Sequence, residues 1–200
     1  MSRCLARNSH ARLSLCQITF QKVLRHDQVQ LFHEQQIPAD GRQQTSALPA
    51  RMPERLVGVG FRCWFAGFES GDIASWEEAW NTYSGTLGRD PAKALLLDLS
   101  QFVRAVKTTA EREIQVYPTG CLGFCRDECL AISMIAACQH DAKPALHAAA
   151  CALIGSPDIG DALTGAQTFA AGLKNANQVL DAASICPATC AFRADRRRLM

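Results

Sequence analysis

Residues 60–88 read GFRCWFAGFESGDIASWEEAWNTYSGTLG, and the spacing within this stretch decides the fold class. Phe61, Trp64, Phe65 and Phe68 fall at i, i+3, i+4 and i+7, one stripe of a helix, and Gly71 is placed to end it. Asp72 can cap a second helix, in which Ile73, Trp76, Trp80, Tyr83 and Leu87 keep the helical spacing as far as Gly88. These two segments hold all three tryptophans of the chain. The pattern predicts an aromatic core between two helices rather than a box for stacking a ligand.

Working outward toward the C-terminus, Asp90 followed by Pro91 signals a third helix, carried on by Leu95, Leu99, Phe102, Val103 and Val106. The helical pattern then breaks. Residues 113–117 alternate as a short extended segment, and Pro118 with Gly120 makes a turn. A fourth helix is expected from near Arg126 to about Gln139, with Asp127 and Glu128 in its first turn, where the helix dipole favours acids. That position explains the two carboxylates better than an acid/base pair does, because adjacent residues on a helix point about 100° apart. Asp141 and Pro144 start a fifth helix ending near Gly155, and Ser156 with Pro157 start a sixth through Ile159, Leu163, Phe169, Leu173 and Leu180. The fourth and fifth helices are nearly contiguous and predict an antiparallel hairpin. The fold expected is all-α, a bundle of five or six helices, with a helical domain over residues 52–183.

Working outward toward the N-terminus, residues 1–51 mix Gln, Arg and His with little periodicity, and 38–53 reads as a linker rich in Pro, Gly, Ser and Gln. This region is expected to be poorly ordered, as is a basic tail over 184–200. Met52 opens the better-patterned part, so the biological start could lie there. The formal charge of +2 is unevenly spread. Residues 1–51 carry seven Lys and Arg against three Asp and Glu, residues 52–183 ten against fifteen, and residues 184–200 four against one. An acidic body between basic ends argues against nucleic acid as the main partner. No apolar run approaches the roughly 18 residues of a membrane span. Residues 13–20, the nearest approach to an export signal, are short and broken by Gln17. A soluble, cytoplasmic protein with reduced cysteines is expected.

Residues 120–151 hold five of the ten cysteines and two of the five histidines. Thiolate and imidazole are ligands for zinc and other thiophilic metals, and four of them close a tetrahedral site. His147 and Cys151 are four apart on the fifth helix and share a face. Cys125 and Cys129 lie at the base of the fourth, so Cys125, Cys129, Cys151 and His147, with Cys121 as a further ligand, form the candidate metal set. Cys138 and His140 lie at the other end of that helix, the first suited to packing and the second to a C-terminal cap. The Cys-x3-Cys-x3-Cys spacing departs from the common zinc and ferredoxin arrangements. Free cysteine also packs as a small apolar group, which suits its alanine-rich surroundings. A third chemistry is thiol redox at Cys125, whose place near a helix N-terminus beside Arg126 implies a lowered pKa, with Cys121 or Cys129 as its neighbour.

No Gly-rich phosphate loop follows a strand and no serine, histidine and acid arrangement has a recognisable context, so nothing in the motifs supports an enzyme. The stretch 60–88, with Gly71-Asp72-Ile73 and Trp76 through Trp80, together with 120–139, resembles a small group of bacterial proteins of unknown function. That resemblance implies no activity and no site. The sequence therefore favours an accessory or regulatory protein that works by binding an unidentified protein partner without a cofactor. Zinc-type metal binding and thiol redox stand as the alternatives.

Overall fold

The computed structural model describes residues 51–186, and six α-helices account for most of them. In chain order they are α1 (Met52–Ser70), α2 (Ile73–Leu87), α3 (Arg89–Thr109), α4 (Arg126–Gln139), α5 (Lys143–Ile154) and α6 (Gly160–Asn175), followed by one 3-10 turn, Ala182–Ser184. Among the described residues there is no strand. The all-α bundle expected from the periodicity is the architecture observed. The expectations of a poorly ordered region over 1–51 and of a basic tail over 184–200 fall, but for Arg51 and residues 184–186, outside the described residues.

The first two helices form as the aromatic spacing predicts. α1 ends at Gly71, which takes the left-handed conformation at φ 73° and returns its N–H to the Gly67 carbonyl at 2.8 Å. Asp72 then caps α2 by accepting from Ala74 N at 3.0 Å. Trp64 and Trp76 are buried with ring centroids 6.0 Å apart, and Tyr83 reaches back to donate to the Leu56 carbonyl at 2.7 Å. Large aromatic surfaces removed from water supply much of the cohesion here.

α3 packs on α1, α2 and α6, and α4 on α1, α5 and α6, so these two helices join the layers of the bundle. The α3–α6 contact is close. A Cβ on Gly165 of α6 would stand 2.9 Å from Phe102 Cα, which is backbone and cannot yield. Stacked rings of Phe102 and Phe169, 6.4 Å apart, fill the space beside it. α4 and α5 pack against each other across a three-residue link, as the hairpin reading requires.

Two helix starts differ from the sequence reading. α3 begins at Arg89, directly after Gly88 at φ 83°, and Asp90 is not its cap. Pro91 is tolerated inside the first turn because the first four helical N–H groups have no intrahelical acceptor in any case. α6 begins at Gly160 rather than at Ser156 and Pro157. The Ser156 hydroxyl is committed elsewhere, donating to Glu111 Oε1 at 2.8 Å and accepting from Asp158 N. α6 also stops at Asn175, short of the expected Leu180. Asn177 turns the chain at φ 58°, and the strap that follows is held by side chains of α4. Gln139 accepts from Leu180 N at 2.8 Å, His140 Nε2 pairs with the Leu180 carbonyl at 2.8 Å, and Ser133 accepts from Cys186 N at 3.0 Å. Ser184 and Cys186, expected in a loose tail, are therefore tied down, Ser184 through the Glu54 carboxylate at 2.9 Å.

Candidate functional site

The connector between α3 and α4 carries the chemistry. Its first residues are pinned to the end of α5, with Glu111 N donating to the Ile154 carbonyl at 3.0 Å. Beyond them, Ile114 is buried and Val116 half-buried while Glu113, Gln115 and Tyr117 are exposed, the period-two alternation of an extended chain. With no strand beside it, the segment finds its hydrogen bonds in carboxylates. Gln115 N donates to Asp127 Oδ2 at 2.9 Å, and Tyr117 N donates to Glu128 Oε1 at 3.1 Å.

Asp127 and Glu128 thus do more than complement a helix dipole. Arg112 grips Asp127 with both arms of its guanidinium, at 3.0 and 2.6 Å, and also donates to the Ala152 and Glu113 carbonyls. Arg62 of α1 does the same to Glu128, through Nε at 2.7 Å and Nη2 at 3.0 Å. Arg62 is 1% exposed and Glu128 is fully buried. Two further guanidinium N–H groups reach the Cys121 carbonyl at 2.6 Å and the Gly123 carbonyl at 2.5 Å. Glu128 also accepts from Cys125 N at 2.7 Å, one half of a capping box that starts α4. Four of the five guanidinium N–H groups and both Glu128 oxygens are therefore paired, which is how buried charge comes to be tolerated. Burial pulls the Arg62 guanidinium down, but the hydrogen bonds and charge of Glu128 outweigh it and hold the group above its ordinary value.

Around this anchor the loop 118–124 is shaped from below. The Phe124 ring lies 5.5 Å from the Arg62 guanidinium and packs on Gly58, where a Cβ would come within 2.3 Å of the ring. Leu122, between the two carbonyls that Arg62 holds, is 79% exposed, and Tyr117 is 46% exposed. A cleft of about 590 Å³ is lined by Tyr117 and Cys125, the residues that flank this loop. Its walls include Phe65, Glu69 and Lys107 from the ends of α1 and α3, and Ile114, Val116 and Cys125 from the connector and the start of α4. Lys107 pairs with Glu69 over the Phe65 ring, and burial lowers its pKa.

The cysteines spread over these elements rather than gathering. Cys121 is exposed in the loop, Cys125 is the N-cap of α4 and Cys129 lies inside α4. On α5, His147 Nδ1 and Cys151 Sγ are 3.6 Å apart, so the expected shared face is real. Among the described residues no three His, Cys, Asp or Glu side chains form a group able to hold a metal ion. The lowered pKa expected for Cys125 is reversed. Burial pushes its thiol up and the adjacent Glu128 carboxylate adds to this, outweighing the N–H groups that pull it down. The thiol donates to the Gln115 carbonyl at 3.0 Å, so it serves the connector. Cys138 is pushed up to about 11 by burial, in keeping with a packing role. His140 caps the end of α4 as expected.

Sequence reasoning missed Arg62, Arg112 and Leu122. The available signal was Arg62 itself, the sole charge in residues 56–68 and set on a helix that is otherwise apolar there. No family model matches the chain, and neither a curated protein nor a solved structure matches it.

Proposed function

We propose that the protein is a non-enzymatic accessory or regulatory factor that binds a partner protein through the loop 118–124 and the cleft beside it. The observation that carries this reading is the placement of Leu122. A fully exposed leucine on a free loop would gain little on binding, because ordering the loop costs conformational entropy. Here the carbonyls on both sides of Leu122 are already fixed by a buried arginine, so much of that cost is met in the fold. Tyr117, on the same connector and likewise held through its N–H, adds an amphipathic contact of the kind enriched at interfaces.

A cytoplasmic setting suits the reduced thiols of Cys63, Cys121, Cys125, Cys138 and Cys151. Among the described helices none is long and apolar enough to cross a membrane. A second reading, a zinc-type site, draws on the His147 and Cys151 pair. Metal analysis of the reduced, untagged full chain tests it: near-stoichiometric zinc that is lost in His147→Ala supports the site, and metal-free folded protein removes it.

Capture from native lysate of the source cells, with wild type and Leu122→Asp side by side, tests the main reading. A partner retained by the wild type and lost by the variant, at unchanged melting temperature, is the expected result. Identical captures, or a wild type recovered alone, would overturn it.

A further inference from the structure

α5 carries two metal donors on its outer side. The helix turns Leu146, Ala149, Ala150, Leu153 and Ile154 inward, where they are buried. The helical repeat puts Pro144, His147, Ala148, Cys151 and Gly155 on the opposite side, all exposed or half-exposed. There His147 Nδ1 and Cys151 Sγ lie 3.6 Å apart, and among the described residues neither side chain pairs with any group but the other. A tetrahedral zinc ion holds thiolate sulfur at about 2.3 Å and imidazole nitrogen at about 2.0–2.1 Å, which sets those two donors about 3.5–3.6 Å from each other. The pair therefore already has the length of one edge of a zinc tetrahedron.

One edge is half of a closed site, which takes four protein donors. Among the described residues no third His, Cys, Asp or Glu joins these two. We infer that a second copy of this chain completes the site, so that one zinc ion joins two chains through His147 and Cys151 of each. The inference deepens the zinc-type reading and rests on it. A two-fold axis through the metal relates the two pairs, as in any isologous contact, so no new residue is required. Pro144, Ala148 and Gly155 flank the donors with short side chains or none, which lets two α5 helices approach. None of the three carries a charge, so the copies bring no like charges together. Each thiol releases its proton to solvent as it binds. Zinc with two thiolates and two neutral imidazoles is then uncharged, which suits a contact made of proline and alanine.

The probe is zinc chloride, added to the reduced full chain after metal has been stripped with EDTA and the chelator removed. Sedimentation velocity and native mass spectrometry should show a monomer turning into a dimer with one zinc per two chains, reversed by EDTA. Cobalt(II) in place of zinc should give the thiolate charge-transfer band and the strong visible absorption of a tetrahedral site. His147→Ala and Cys151→Ala should each abolish metal uptake and the dimer while leaving the melting temperature of the metal-free chain unchanged. Cys121→Ser should keep both. A dimer that persists in EDTA or in either alanine variant, or cobalt spectra without the thiolate band, would overturn the inference. The two readings fail separately. A monomer that binds one zinc and loses it in His147→Ala refutes only the second copy; a chain that takes up no zinc refutes the zinc-type reading as well.

Discussion

Replacing Arg62 by methionine keeps most of the side-chain volume and removes the guanidinium, which isolates what the buried ion pair contributes. Glu128 would be left fully buried with two of its four donors gone, and the Cys121 and Gly123 carbonyls would lose their anchor. Stranding one charge of a buried pair costs about 3–5 kcal/mol. The carbonyls add little, because the loop can turn them to water. Against a total stability of about 5–15 kcal/mol, Arg62→Met should still fold but be much weakened. With a urea dependence near 2 kcal/mol per molar, the midpoint should fall by about 2 M. The buried tryptophans give a fluorescence signal for the transition. The double variant Arg62→Met with Glu128→Met removes both charges, so its loss should be smaller than the sum of the single losses by about 2 kcal/mol. A loss under about 1 kcal/mol for Arg62→Met, or strict additivity in the double variant, would refute the reasoning that this pair anchors the loop.

Two further outcomes follow from burial and close approach. Burial pushes the Cys63 thiol up to about 12 from its ordinary 9.0. A thiol more easily kept protonated in the folded chain favours folding fully below about pH 9, and that advantage fades as pH climbs toward 12. Unfolding free energy should thus decline above pH 9 by up to about 1.4 kcal/mol per unit from this group, and Cys63→Ala should flatten the slope in urea titrations at pH 8, 9 and 10. Gly165→Ala sets a Cβ against the Phe102 backbone and should cost about 3 kcal/mol, measured by thermal melting, whereas a melt like that of the wild type would show that α3 and α6 can separate freely.

The helices were legible because their information is local. Apolar spacing in 60–88, Gly71 after one stripe and Asp72 before the next fix two helices within a few turns of chain, and the structure places both ends there. The starts of α3 and α6 were misplaced where a local signal had another use. Pro91 tolerates any place in a first turn, and the Ser156 hydroxyl was taken by Glu111, 45 residues away in the chain. The cysteine cluster shows the same limit from the other side. Spacing put Cys125 at the start of α4, but its proton affinity depends on how deeply the site is buried and on where the Glu128 carboxylate turns.

By itself, then, the sequence determined the helix content, the aromatic contact between α1 and α2, the alternation in 113–117 and the acids that open α4. Only the tertiary structure decided what those acids hold. Arg62 and Glu128 are 66 residues apart, and Arg112 and Asp127 are separated by a segment of no regular structure. Periodicity reports which face of an element is buried, because burial recurs with the backbone's own repeat. It does not report which distant charge meets it there, because that depends on how whole helices pack, and from that packing comes the pinned loop around Leu122.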